Sequence, residues 1–426
     1  MKRQIISAMK WIGIAFVALG ILYVVLLWLS NRRLNQAYAA LAADGRPMQL
    51  AQLIPPPIPD PDNAALVYKA VVLQLKAERA GEKNLFDQMG DLAKDILEDK
   101  VSGKAMESFR QLAGGKTATQ AREALETGSA KPRCRYELDY SKGGGMLLPH
   151  LAELRNLSRI LCATALIQAA DGDLPAAWRT LATSLRIADA VKDDPVLISQ
   201  LVRMAQFRVA AETISSVSAA GLPNDATYRE ILSLLQSFDD GYTRLVASID
   251  MDRLALGEWA FRLSPSDLRG LGAIEDGSAN GGMMVAGFFP PLTQRAHAAY
   301  LDVMRILAKH AAEPYSATSS ALDEALVKDV PRYCLLTRML TPALVTSRSA
   351  YSAMLAQSRI ARAGLAILRH RQEQGRYPAD LAALGQQDLI DPFAGAPLRY
   401  RPAADGFTLY SVGDNLADDG GVKGKD

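Results

Sequence analysis

The chain contains 426 residues, of which 49% are hydrophobic and 22% are charged, values typical of a globular protein with a sizeable core. Its 48 basic and 46 acidic residues leave a net charge of +2, which argues against a nucleic-acid partner because such proteins normally carry a clustered basic excess. Only 7% of the residues are aromatic. Because β-rich domains draw on aromatic and β-branched side chains, the composition predicts a mostly α-helical fold.

The first predicted element is a transmembrane helix. Residues 11–30 form an apolar run without a single charged side chain. At about 1.5 Å per residue, a helix of this length spans about 30 Å, the thickness of the hydrocarbon core. Basic residues lie on both sides of the run, three before it and two after it: Lys2, Arg3, Lys10, Arg32 and Arg33. The excess before the run favours a cytoplasmic N-terminus, and hence a single-pass inner-membrane protein with a periplasmic or otherwise extracytoplasmic C-terminal domain.

A cleaved signal peptide is the alternative interpretation of this segment. The triplet Ala37-Tyr38-Ala39 fits the small-residue pattern of a cleavage site, but it lies well beyond the apolar run. The run is also longer than the apolar core of about 7–15 residues that signal peptides usually have. We therefore predict that residues 1–33 are an uncleaved anchor whose partner is membrane lipid.

A proline-rich linker is predicted over residues 34–62. Five prolines in residues 55–61 hold this part of the chain extended, because proline fixes the backbone φ angle and cannot donate a hydrogen bond. Such a segment either acts as a stiff spacer from the membrane or lies along the surface of the following domain. A spacer is the commoner role.

Residues 63–345 are predicted to form a helical extracytoplasmic domain. Asn63 is expected to cap its first helix. Residues 150–191 have the apolar spacing of a helical hairpin, with a turn at residues 170–173 and Asp173 as the cap of the second helix. The pattern Gly-Asp-x-x-Ala-Ala resembles one tetratricopeptide-type unit, although no further copies follow at a fixed period.

The later part of this domain is predicted to contain one long interruption. Residues 228–263 continue the helical pattern, and residues 264–293 are rich in Gly, Ser and Pro. We predict a long loop there, which either covers the core, lines a groove or dips toward a membrane.

Residues 346–426 are predicted to be a small α+β module. A long helix over residues 346–374 is followed by strand-like alternation at 398–401 and 407–412, and Asp405-Gly406 supplies the turn of an antiparallel hairpin. Three short motifs accompany these elements: Gly375-Arg376-Tyr377-Pro378, Asp391-Pro392-Phe393 and Tyr410-Ser411-Val412-Gly413.

In these motifs and their order, the last 80 or so residues resemble the C-terminal module of the major pseudopilins of type II secretion systems. Residues 1–20 lack the peptidase motif with which a pseudopilin begins, so the chain shares the module alone. The resemblance implies a calcium site in the acidic loop after the last strand. Candidate oxygen ligands lie close together in that loop: Asp414, Asn415, Asp418, Asp419 and Asp426. The alternative is ordinary turn chemistry near a chain end.

The cysteines and histidines do not form a motif of known chemistry. Cys162 lies in an apolar helical run and is predicted to be a small buried side chain. Cys134 and Cys334 are the only pair that we consider for a disulfide, and the sequence leaves that pairing open. The four histidines do not show HExxH spacing, and the chain has no Gly-x-Ser-x-Gly elbow.

The sequence therefore favours a membrane-anchored, non-enzymatic binding or assembly protein with a protein partner in the cell envelope. Two alternatives remain open. The resemblance suggests an accessory component of a type II secretion or pilus-like machine, which is an analogy at the level of the module. A hydrolase that uses residues 264–293 as a lid is the other alternative.

Overall fold

The computed structural model describes most of the chain, and its mostly helical character confirms the predicted fold class. The described residues are 2–98, 103–263, 289–311, 313, 315, 330–331, 334–385 and 389–422. Their helices are α1 (Lys2–Ala43), α2 (Ala64–Ala77), α3 (Leu85–Leu97), α4 (Gly103–Gly114), α5 (Lys116–Ser129), α6 (Pro149–Ala170), α7 (Leu174–Ala188), α8 (Leu197–Ala220), α9 (Asp225–Gln236), α10 (Thr243–Asp252), α11 (Glu258–Ala260), α12 (Pro290–Ala311) and α13 (Leu335–Gln374). Two antiparallel hairpins accompany them, β1 (Arg79–Ala80) with β2 (Lys83–Asn84) and β3 (Arg399–Pro402) with β4 (Phe407–Tyr410).

Helix α1 is 42 residues long and passes through two different surroundings. Among the described residues, it is the one helix that is long and apolar enough to cross a membrane. Large apolar side chains in its first part are exposed, such as Phe16 at 73%. Near its end, Ala37 and Leu41 are buried in the main core together with residues of α7, α8 and α12. The first part of α1 therefore exposes its apolar side chains, whereas its last part belongs to the core of the body.

The α6–α7 hairpin confirms the helical hairpin predicted over residues 150–191. The carboxylate of Asp173 accepts the backbone N–H of Ala176 at 3.1 Å, so it caps α7 as expected. Trp178 of α7 is fully buried, and its indole N–H donates to the carbonyl of Gly221 at 3.1 Å. The tetratricopeptide likeness of the hairpin stays a prediction.

A second apolar cluster joins the first body helices to α6. Asn63 accepts the N–H of Ala65 at 3.1 Å and begins α2, which confirms the predicted cap. Tyr68 of α2, Phe86 of α3, Phe109 of α4 and Leu125 of α5 pack with the apolar face of α6. Because this cluster and the main core share the α6–α7 hairpin, that hairpin lies at the centre of the body.

The helix predicted over residues 228–263 is interrupted. Gly241 and Tyr242 adopt positive φ angles of 62° and 70°, so α9 and α10 are separate helices. Glycine tolerates this left-handed conformation, which a continuing helix would not contain. A π-helical turn at Arg253–Gly257 then joins α10 to α11. Gly257 is required there because an added Cβ would lie 2.2 Å from the ring of Tyr300.

The proline-rich segment lies along the body, the second of the two roles considered for it. Residues 34–43 of the predicted linker are the end of α1. Beyond them, Leu50 and Leu53 pack against a small cluster that includes Tyr140 and Met251. Lys131, which follows α5, donates to the carbonyl of Pro61 within the run of prolines and fixes the segment further.

The predicted antiparallel hairpin is confirmed as β3–β4, in which Tyr400 faces Leu409 in the register. It packs on α13 through a cluster that contains Ile367, Leu398 and Phe407. Helix α13 begins at Leu335 and also contacts α8, α9 and α12 of the body. The domain boundary predicted between residues 345 and 346 therefore falls inside one continuous helix.

Candidate functional site

The acidic loop after β4 makes hydrogen bonds within the protein. The carboxylate of Asp418 accepts the hydroxyl of Tyr410 at 2.7 Å and the N–H of Gly420 at 3.1 Å, and it lies 3.4 Å from the guanidinium of Arg399. The hydrogen bond from Tyr410, followed by that from Gly420, lowers the pKa of Asp418. The loop therefore holds Asp418 as a charged acceptor.

The other predicted calcium ligands have separate partners. Asp414 accepts the hydroxyl of Ser349 at 3.0 Å, and Asn415 donates its amide to Asp419 at 2.9 Å. Asp426 lies outside the described residues. Within the described part of the chain, no group of three or more His, Cys, Asp or Glu side chains is placed to hold a metal ion. Calcium binding stays a prediction, and it would require these hydrogen bonds to be exchanged for metal ligation.

Asp391, from the motif Asp391-Pro392-Phe393, connects the loop to the rest of the C-terminal module. Its carboxylate is buried and accepts three hydrogen bonds, from the N–H of Phe393 at 2.9 Å, the hydroxyl of Ser411 at 2.8 Å and the N–H of Val412 at 2.9 Å. Hydrogen bonds to an ionised carboxylate are stronger than those between neutral groups. Asp391 therefore fixes the end of β4, from which the acidic loop departs.

A polar cluster lies where α1 enters the body. The hydroxyl of Tyr38 donates to Glu258 at 2.6 Å, and Nε2 of His297 lies 3.5 Å from the same carboxylate oxygen. The His297 ring stacks on Phe261 with centroids 4.4 Å apart. Burial alone would raise the pKa of Glu258, but the contacts with His297, Tyr38 and Arg262 outweigh it and lower that pKa. The cluster is therefore a polar joint between α1, α11 and α12.

Further polar contacts follow the two helices along their length. Ser30 donates to Gln294 at 2.6 Å, Arg33 pairs with Asp302, and Asp44 pairs with Arg305 at 3.0 Å. Residue numbers rise together in these pairs, so α1 and α12 run side by side in the same direction.

The proposed hydrolase lid falls mainly outside the described residues, since residues 264–288 are not described. Residues 290–293 form the first turn of α12. The hydrolase alternative stays a prediction.

A cleft of about 260 Å³ opens between α2, the end of α5 and the turn after α7. Its walls carry four basic and two acidic side chains: Lys131, Arg133, Arg186, Lys192, Asp189 and Asp193. Arg186 pairs with Glu230 and Lys192 lies 3.2 Å from Asp189, whereas Arg133 is exposed at the rim. The cleft is thus a polar recess with a basic excess.

A buried ionic network continues from the cleft into the core. Arg203 of α8 is fully buried, and its guanidinium lies 2.8 Å from Asp189 and 3.3 Å from Asp240. It also donates to the carbonyl of Ser237 at 3.1 Å and stacks over Phe238 at 4.7 Å. One arginine therefore joins the turn after α7 to the end of α9.

The cysteines do not supply a reactive group to the cleft. Cys134 lies in its wall, and burial raises the pKa of this thiol to about 12. Because the thiolate is the nucleophile, a thiol with so high a pKa is inert at neutral pH. Cys162 is fully buried as predicted, and Cys134 and Cys334 are both free thiols, so the considered disulfide is not formed.

Sequence reasoning missed both the cleft and the joint. The cleft brings together residues near 131, 186 and 192, and the joint brings together residues 38, 258 and 297. No short spacing marks either group, so only the fold assembles them. Comparison with protein-family models found no matching family, and no curated protein or solved structure matched the chain.

Proposed function

We propose that this chain is a non-enzymatic binding or assembly protein, anchored in the inner membrane by α1, with its helical body outside the cytoplasm. One observation supports the anchoring on which the proposal depends: α1 is a single helix whose first part is apolar and exposed and whose last part belongs to the core. Because the helix is continuous, the body is joined rigidly to the membrane anchor.

The exposed surface of α1 is suited to lipid. Trp11, Phe16 and Val24 are 69%, 73% and 63% exposed, and residues 11–30 carry no charge. Exposure of such side chains to water costs about 25 cal/mol for each Å² of apolar area. This cost is removed when the same area is surrounded by the hydrocarbon of a bilayer. The basic residues that precede the run support a cytoplasmic N-terminus.

Truncation tests the anchor. Removing residues 1–33 should move the protein from the membrane to the soluble fraction and leave a folded, helical body, because the buried Ala37 and Leu41 are retained. Removing residues 1–43 also deletes those two side chains and should give a less stable body. Truncating a buried leucine to alanine, which leaves a cavity, typically lowers the free energy of unfolding by about 2–5 kcal/mol.

Fractionation and thermal unfolding followed by circular dichroism measure these outcomes. Loss of helical structure in the fragment that lacks residues 1–33 would contradict the division of α1 into anchor and body. Equal stability of the two fragments would show that the end of α1 is not part of the core.

We place the partner at the cleft. Its basic excess and the exposed Arg133 favour an acidic segment of another protein in the cell envelope. A photo-crosslinking side chain at Arg133, in the full chain in native membranes, should capture a partner. The matched control is Lys104, an exposed basic residue on α4, which does not line the cleft. Equal capture from both positions, or none from Arg133, would contradict this placement.

The second candidate is an accessory component of a type II secretion or pilus-like machine. What supports it is the packing of the motif residues: Tyr377 and Tyr400 join one cluster on α13, and the Tyr400 hydroxyl donates to the carbonyl of Pro378 at 2.9 Å. Purification of the tagged full chain from cross-linked membranes tests it, since this candidate requires secretion-machine subunits among the bound proteins.

A further inference from the structure

We propose that the start of α12, namely Phe289 and the first helical residues 290–292, is embedded in the lipid bilayer beside α1. The protein would then contact hydrocarbon through two segments that are far apart in sequence. This inference rests on the proposed function, because it takes residues 11–30 of α1 as the membrane span.

The depth of this turn follows from its contacts with α1. The ring of Phe289 packs edge-on against Tyr23 with centroids 5.7 Å apart. Tyr23 lies seven residues before Ser30, the end of the apolar run, which corresponds to about 10 Å along a helix. Ser30 itself contacts Gln294. Since α1 and α12 run in the same direction, the start of α12 is its deepest point in the membrane.

The backbone of this turn is suited to hydrocarbon. A helix normally begins with N–H groups that lack a partner, and such groups are costly to place in lipid. Here the first two helical positions are Pro290 and Pro291, which have no N–H. The next two N–H groups, of Leu292 and Thr293, both donate to the carbonyl of Phe289, at 2.9 and 3.3 Å. The helical positions of this turn therefore present no unpaired donor.

The side chains of the turn fit the same surroundings. Residues 289–294 carry no charge, and the first charged residue of α12 is Arg295, next to the contact with Ser30. Pro290 is exposed and Phe289 and Leu292 are partly exposed. Their surface continues that of α1, where Ile21 and Val24 are 61% and 63% exposed. This continuity identifies lipid as the molecule that covers both.

Nitroxide labels on the full chain in lipid nanodiscs test the inference. Single cysteines are introduced by Phe289→Cys and, as a second position in the turn, Leu292→Cys. Val24→Cys is the control on α1 and Leu147→Cys, at 84% exposure, is the control on the body. The native cysteines are buried or poorly reactive, and the unsubstituted chain serves as the blank. The accessibility of each label to oxygen, which concentrates in lipid, is compared with that to a water-soluble nickel complex.

We expect oxygen to be favoured at positions 289, 292 and 24, with position 289 deeper than 292, and nickel to be favoured at position 147. If Val24 is in lipid while both labels in the turn behave like Leu147, the inference is overturned and the anchor stands. If Val24 itself favours nickel, the membrane span fails and the inference fails with it.

Discussion

The buried Arg203 gives the sharpest test of what holds the body together. Arg203→Met keeps much of the side-chain length but removes the cation from between Asp189 and Asp240, both of which are nearly inaccessible to solvent. Removing one partner of a buried ion pair costs about 3–5 kcal/mol, because the remaining charge stays buried without its counterion.

Neighbouring cations place the expected loss at the lower end of that range. Asp189 keeps Lys192 at 3.2 Å, and Asp240 keeps Arg244 at 2.8 Å. We therefore expect Arg203→Met to lower the free energy of unfolding by about 3 kcal/mol. Adding Asp189→Asn should recover part of this loss, since the double variant buries one negative charge fewer.

Urea unfolding of the full chain in detergent, followed by far-ultraviolet circular dichroism, measures these values. The matched control is Arg110→Met, which breaks an exposed pair with Asp171 and should leave stability nearly unchanged. If Arg203→Met and Arg110→Met were indistinguishable, the ionic network would not stabilise the body and our interpretation of it would be wrong.

Three further predictions concern protonation, packing and metal binding. Burial, with a smaller contribution from the nearby Asp194 charge, raises the pKa of Asp252 to about 7, so the native state keeps a proton that an unfolded aspartate loses near pH 4. The contribution of Asp252 to stability is therefore complete below about pH 4 and is lost, at up to about 1.4 kcal/mol per pH unit, as the pH rises to 7; the difference in stability between the unsubstituted chain and Asp252→Asn should follow this pH dependence in urea titrations, and a difference that does not change with pH would contradict it. Gly257→Ala should lower stability by about 1–3 kcal/mol because of the Tyr300 ring, whereas Gly364→Ala, in an open part of α13, should raise it by about 0.5–1 kcal/mol; equal thermal shifts would contradict this account. Calorimetric titration of the full chain with calcium should show binding that Asp418→Asn weakens, and the absence of heat with the unsubstituted chain would exclude the predicted site.

Features encoded in consecutive residues could be predicted from the sequence. The apolar run of α1, the caps at Asn63 and Asp173 and the β3–β4 hairpin each depend on a few neighbouring side chains. The break between α9 and α10 was missed because the apolar spacing continues through it. The run Asp239-Asp240-Gly241 was the available signal, since such residues favour turns.

The candidate sites were harder to predict because their residues are brought together by tertiary packing. Glu258 and His297 are adjacent in space but separated by 39 positions in the chain, and their contact depends on how α12 packs against α10 and the π-helical turn that leads into α11. The predicted calcium ligands are close in sequence, yet their side chains have different partners in the fold. Asp414 bonds to Ser349 of α13 and Asp418 bonds to Tyr410 of β4, contacts that the sequence alone does not reveal.

The continuity of α1 has a geometric consequence for the proposed membrane-bound form. The helix is continuous between Ser30 and Leu34. The rotation of the body about the membrane normal is therefore set by the number of helical residues that separate it from the membrane span. One residue added there would turn everything beyond it by about 100° and lift it by about 1.5 Å. The direction in which the cleft faces its neighbours in the envelope is thus determined by the number of residues between the membrane span and the body.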